Sequence, residues 1–126
     1  MAEYTIPELL PFDPRGSHRA WLRAYDFAGW PRFESAPVGN HLYSATVCVL
    51  YRFYDADRKA LYVGVTTNPF TRWAPHRHND WWNLIRFASL EPVDPSARLA
   101  AEQRAIDAER PRFNRMRPYG RSSAAI

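Results

Sequence analysis

The stretch that decides the fold is Thr46–Val65, TVCVLYRFYDADRKALYVGV. Thr46 to Tyr54 is rich in β-branched and aromatic residues, Asp55 to Lys59 is a polar turn, and Ala60 to Val65 is apolar again. Such side chains fit a pleated, half-buried surface, so two runs parted by a short polar turn read as a β-hairpin. Cys48 is the only cysteine and lies inside the first run, where a small buried hydrophobe is expected. A lone cysteine excludes an internal disulfide framework and a cysteine-based zinc site.

Downstream of the hairpin, Asn68 and Pro69 supply a cap and a first helical position, which predicts a helix through Arg72 to His76. Pro75 removes a hydrogen bond to the carbonyl of Thr71, so this helix should kink or end early. Leu84 to Leu90 reads as a third strand, with Ile85 and Phe87 alternating against Arg86 and Ala88. Asp94 or Ser96 caps a last helix running to about Glu109, rich in strong helix formers and stopped by Pro111. Leu99 and Ile106 define the stripe of that helix expected to face the sheet.

Upstream, residues 1–15 alternate apolar residues with proline and read as extended. Ser17 caps a short helix with Trp21, Ala24, Tyr25 and Ala28 on one stripe, ended by Gly29 and Pro31. His18, Arg19 and Arg23 are expected to face outward. The fold class that follows is α+β, a small three-stranded antiparallel sheet flanked by helices. An N-terminal extension over residues 1–45 precedes the domain at 46–116, and a basic, frayed tail follows at 117–126.

A chain of 126 residues fits one core. Its 46% hydrophobic content offsets the entropy of ordering the backbone. Residues 1–63 carry seven basic and seven acidic side chains, whereas residues 64–126 carry ten arginines against six acids, so the formal charge of +4 lies in the second part. Lys59 is the only lysine, and arginine's planar fork suits phosphate oxygens, which points toward nucleic acid. No apolar run has the length of a signal peptide or a membrane span, and the setting expected is cytoplasmic, away from membranes.

The polar residues worth weighing are few. Glu102 lies about 40° around the last helix from Ile106, at the edge of the core. A carboxylate there is costly to desolvate unless it pairs with an arginine or holds a metal, and both readings stand. Tyr51 and Tyr62 stand on opposite arms of the hairpin, as core rings or as hydroxyls of a shared cleft. Arg72 and His76 are four apart and share a helix face, a cation beside a titratable imidazole. His76 and His78 alone make a poor zinc set.

Taken in order, these positions resemble the GIY-YIG nuclease family. Val49, Leu50 and Tyr51 match its first motif, with valine where the family has glycine, and Tyr62, Val63 and Gly64 match the second. Arg72 matches the arginine of the following helix, His76 a histidine seen in several members, Glu102 the metal-binding glutamate, and Asn114 the closing asparagine. The resemblance implies a metal-dependent endonuclease that hydrolyses DNA with one Mg2+ or Mn2+ on Glu102, and a homodimer where both strands are cut. In that reading Arg72 stabilises charge on the phosphate, Tyr51 is the general base helped by His76, and Arg72 and the metal favour its phenolate. Tyr62 aligns water or phosphate, Asn114 holds the site together, and Gly64 allows close approach of backbone. Arg77, Arg110, Arg112, Arg115 and Arg117 are candidates for contacts to the DNA backbone. The rival readings are a nucleic-acid-binding module of the same fold that does not cut, and a protein-interaction domain using Trp21 to Trp30 and Trp73 to Trp82.

Overall fold

A computed structural model of the chain describes residues 3–31 and 48–114. Along them run β1 (Leu10–Pro11), α1 (His18–Ala24), β2 (Cys48–Tyr54), β3 (Ala60–Thr66), α2 (Pro69–His76), β4 (Phe87–Val93) and α3 (Arg98–Glu109). The class is α+β, and the antiparallel sheet has the order β1-β4-β2-β3. The expectation of three strands is therefore corrected to four. The extra strand comes from the N-terminal extension: Leu10 and Pro11 pair with Ala88 and Phe87 at the edge of β4. Two residues are too few to show a period-two pattern, and an edge is where a sheet tolerates proline.

The hairpin forms as its local chemistry dictates. Tyr51 faces Gly64, Arg52 faces Val63 and Phe53 faces Tyr62 across it. In the turn, Asp55 Oδ1 accepts from the amides of Asp57 (2.8 Å) and Lys59 (3.0 Å), and Arg58 takes a left-handed φ of 63°. The other arm of β2 pairs with β4, which starts at Phe87, later than the expected Leu84. Residues Asp80–Leu84 instead form a 3-10 helix that buries Trp81 and Trp82, and the Ile85 amide closes it on the Trp82 carbonyl.

Alternation along β2 sorts the core onto two faces. Val49, Tyr51 and Phe53 pack with Phe12, Leu22, Trp73, Trp82 and Ile85, while Cys48 and Leu50 pack with Val63, Val93 and Ala105 beneath α3. Leu99, expected to face the sheet, is 67% exposed, and Ala101, Ala105 and Ile106 take that place. At 100° per residue Leu99 lies within about 20° of Ile106, so the difference arises along the helix rather than around it: Leu99 sits in the first turn of α3 and Ile106 in its last. Helix α1 starts at the expected Ser17 cap, whose Oγ accepts from the Ala20 amide at 3.1 Å, but it ends at Ala24. His18 is buried rather than outward, because its Nε2 reaches the Phe70 carbonyl (3.1 Å), and Arg77 Nη1 lies 3.4 Å from its Nδ1.

Arg52 is buried on the α3 side, 1% exposed, a position from which an unpaired charge would be excluded. Its Nε meets Glu109 at 2.7 Å and its Nη2 meets Glu91 at 2.9 Å. Tyr54 donates to Glu109 at 2.5 Å, and Tyr4 donates to the same carboxylate. Burial, followed by the bond to Glu109, pushes Tyr4 up to about 12. Among the described residues no helix is long and apolar enough to cross a membrane.

Candidate functional site

Neighbouring strands and the helix that follows them bring four of the expected residues together. The Tyr51 Oη lies 2.8 Å from Nε2 of His76. The exposed Arg72, on the same helix as His76, lies close enough to Tyr51 and Tyr62 to interact with both hydroxyls electrostatically. The Tyr62 ring packs against the imidazole at 4.8 Å between centroids and stacks on Trp81 at 5.0 Å. Pro75 does end α2 early, but at His76, so the imidazole still belongs to the helix and is aimed at the sheet. Trp81 had no signal in the sequence that marked it for the site, because its contact with Tyr62 joins segments nineteen positions apart.

Burial shapes the chemistry of the pair. Tyr51 is fully buried, and desolvation, then the neighbouring Tyr62, drives its pKa far above the ordinary tyrosine range. Arg72 acts in the opposite direction and is outweighed, while Glu102 adds to the rise. The expected shift toward phenolate is therefore reversed in the protein alone, because loss of hydration exceeds the pull of one guanidinium. For Arg72, burial disfavours the charge and the two tyrosines more than offset it, leaving the pKa above its usual value.

Gly64 has a clear physical reason. A Cβ built there would lie 2.5 Å from Tyr51 Oη and 2.6 Å from Cζ, so what approaches the glycine is the tyrosine ring rather than backbone. Glycine ordinarily weakens a strand. Gly64→Ala should nevertheless destabilise the protein by about 1–3 kcal/mol, the usual penalty for overpacking a core. Thermal melting checks this, and an unchanged midpoint would mean that the ring has somewhere else to go.

Asn114 is buried, and both its polar atoms are committed to one residue. Its Oδ1 accepts from the Val63 amide at 2.8 Å and its Nδ2 donates to the Val63 carbonyl at 2.9 Å. With the Arg112 amide on Ala60 and the Phe113 amide on Leu61, this segment caps the open edge of β3 beside Tyr62. Asn114 thus positions the strand and presents no free group to a substrate.

Glu102 is half-buried on α3, close enough to influence Tyr51 electrostatically. Among the described residues no three His, Cys, Asp or Glu side chains gather as a metal cluster. One carboxylate suits Mg2+ or Mn2+, ions that keep several waters and take phosphate oxygens to complete their shell. Arg77 donates to the Gly16 carbonyl at 3.2 Å and braces the N-terminal segment, while Arg110 and Arg112 are exposed beyond α3. Arg115 and Arg117 lie outside the described residues. Compared with protein-family models, curated proteins and solved structures, the chain finds no match.

Proposed function

We propose that the protein is a metal-dependent endonuclease that hydrolyses DNA phosphodiester bonds, of the GIY-YIG kind its motif order resembles. The observation that carries this reading is the convergence of Tyr51, Tyr62, Arg72 and His76, with Arg72 beside both hydroxyls and Tyr51 2.8 Å from His76. The reading keeps DNA as partner and the cytoplasm as setting, with two copies of the chain for a double-strand cut.

The exposed Arg72 is the group that first meets a phosphate. Charge-assisted hydrogen bonds are roughly twice as strong as neutral ones, so phosphate oxygens draw the guanidinium off the tyrosines and uncover Tyr51 to water. Tyr51 need not ionise beforehand. Its Oη takes a proton from water as its own proton passes to Nε2 of His76, so the pair gains one proton in total. The hydroxide forms the new bond to phosphorus, the bond to the 3′ oxygen breaks, and that oxygen takes a proton from solvent. Tyr62 orients the incoming group, and Arg72 holds charge at the non-bridging oxygens. Glu102 would hold Mg2+ or Mn2+, which when bound supplies Lewis-acid charge to the phosphate.

The complete burial of Tyr51 favours a second reading, the same fold binding nucleic acid without cutting. Incubating supercoiled plasmid with the protein and Mg2+ or Mn2+, against an EDTA control, separates the two. Metal-dependent nicking is the expected result. Intact plasmid that is retarded in a gel would establish the second reading, and intact, unretarded plasmid would overturn both.

A further inference from the structure

A cleft of about 510 Å³ opens between the hairpin turn and the end of α3, lined by Arg58, Lys59, Arg110 and Arg112. Tyr54 and Glu109 also line it, which places it on the α3 side of the sheet, away from the Tyr51 site. Two acids, Asp55 and Glu109, share the lining, and both already hold hydrogen-bond donors. Asp55 Oδ1 accepts two backbone amides of the turn, and Glu109 takes Arg52, Tyr54 and Tyr4. None of the four cations forms an ion pair among the described residues. Arg58 lies 4.5 Å over the Phe87 ring and Arg112 5.0 Å over Phe113, contacts that hold a side chain without neutralising it.

The backbone provides an independent observation. Arg58 (φ 63°) and Arg110 (φ 51°) are the only non-glycine residues with positive φ among those described, and both line this cleft. One closes a hairpin turn and the other caps α3 in the left-handed conformation. Glycine is the usual residue at both kinds of position, because a Cβ there crowds the backbone. The chain keeps arginine at each at some loss of stability, as expected where a residue serves binding rather than folding.

We infer that this cleft is an anion site that takes a phosphate group, gripped by the guanidinium forks of Arg58, Arg110 and Arg112 and the ammonium of Lys59. Four cations on a short loop and a helix end line the same cleft, and the planar forks of the arginines suit bidentate contacts to phosphate oxygens. The phosphate can belong to a nucleic-acid backbone or be free in solution. Neither source requires the protein to cut DNA.

The test uses the full chain in EDTA, so that cleavage does not enter. Two readouts are taken for the parent and for Arg58→Gly/Arg110→Gly: the melting shift given by inorganic phosphate over chloride of equal ionic strength, and the affinity for a labelled duplex across a salt series. The double variant should melt about 4 °C higher than the parent, since relieved backbone strain of this size moves a small domain by that much. It should lose the phosphate-induced shift, bind duplex about 10-fold more weakly, and show a log–log salt slope smaller by about 2. Loss of the phosphate shift alone would support the site with free phosphate as its ligand. Loss of duplex affinity alone would support it with the polymer backbone as its ligand. Arg112→Ala, which changes no left-handed residue, should move the same binding readouts. Variants that bind both probes like the parent would overturn the proposal, and a lower melting point with unchanged binding would assign the arginines to the fold.

Discussion

Replacing Glu102 with alanine is expected to abolish metal-dependent cleavage, a loss of about 1000-fold or more, while the fold and the affinity for DNA stay close to the parent's. Glu102 is half-buried at the edge of the sheet, and no acidic or histidine cluster among the described residues can take over its carboxylate. Its position on α3 carries no core packing comparable to that of Ala105, so truncation leaves the helix seated. The variant also separates two explanations of a lost rate. The Glu102 charge raises the Tyr51 pKa, so its removal makes Tyr51 the more acidic group. Were ionisation of Tyr51 limiting, the variant would cut faster, whereas a lost metal ligand makes it inert. Nicking rates at saturating Mn2+, with duplex affinity as a control, decide this, and undiminished cutting would remove Glu102 from the site.

Tyr51→Phe should slow the chemical step by about 100-fold or more, because it deletes the oxygen that exchanges protons with His76. The substitution also leaves a buried imidazole nitrogen without its partner, so a loss of about 1–3 kcal/mol in stability accompanies it. Tyr62→Phe removes a hydroxyl beside Arg72 but leaves the Tyr51–His76 pair in place and should lose less. The pH profile carries the mechanism. Because burial raises the Tyr51 pKa, its phenolate is scarcer at every pH below 10 than that of a free tyrosine. A mechanism that needs free phenolate therefore accelerates about tenfold per pH unit from pH 6 to 10. A relay through His76 accelerates only until the imidazole is neutral and then levels, without the continued tenfold rise per unit. Single-turnover cleavage of the parent across pH 6 to 10 distinguishes the two. Near-parental cutting by Tyr51→Phe would take proton removal away from this tyrosine altogether.

The hairpin, the start of α2 at Asn68 and Pro69 and the end of α3 at Glu109 were legible in the chain because their causes are local. Strand alternation, turn chemistry, a proline at the first helical position and a proline after the last each act within a few residues. The pairing of Tyr51 with His76 was legible in part, since the hairpin and the helix after it leave only twenty-five positions between them. The remainder needed tertiary structure. Strand β1 joins Leu10 to Ala88, and the buried Arg52 network ties Tyr4 to Glu109 across 105 positions, separations at which no periodicity operates. The burial of His18 and the exposure of Leu99 depend on what lies opposite each helix, which hydropathy along the chain does not record. The direction of the Tyr51 pKa shift was decided in the same way. Arg72 was visible as a neighbour of the right charge, but the desolvation that outweighs it comes from burial among rings contributed by β2, β3 and α2.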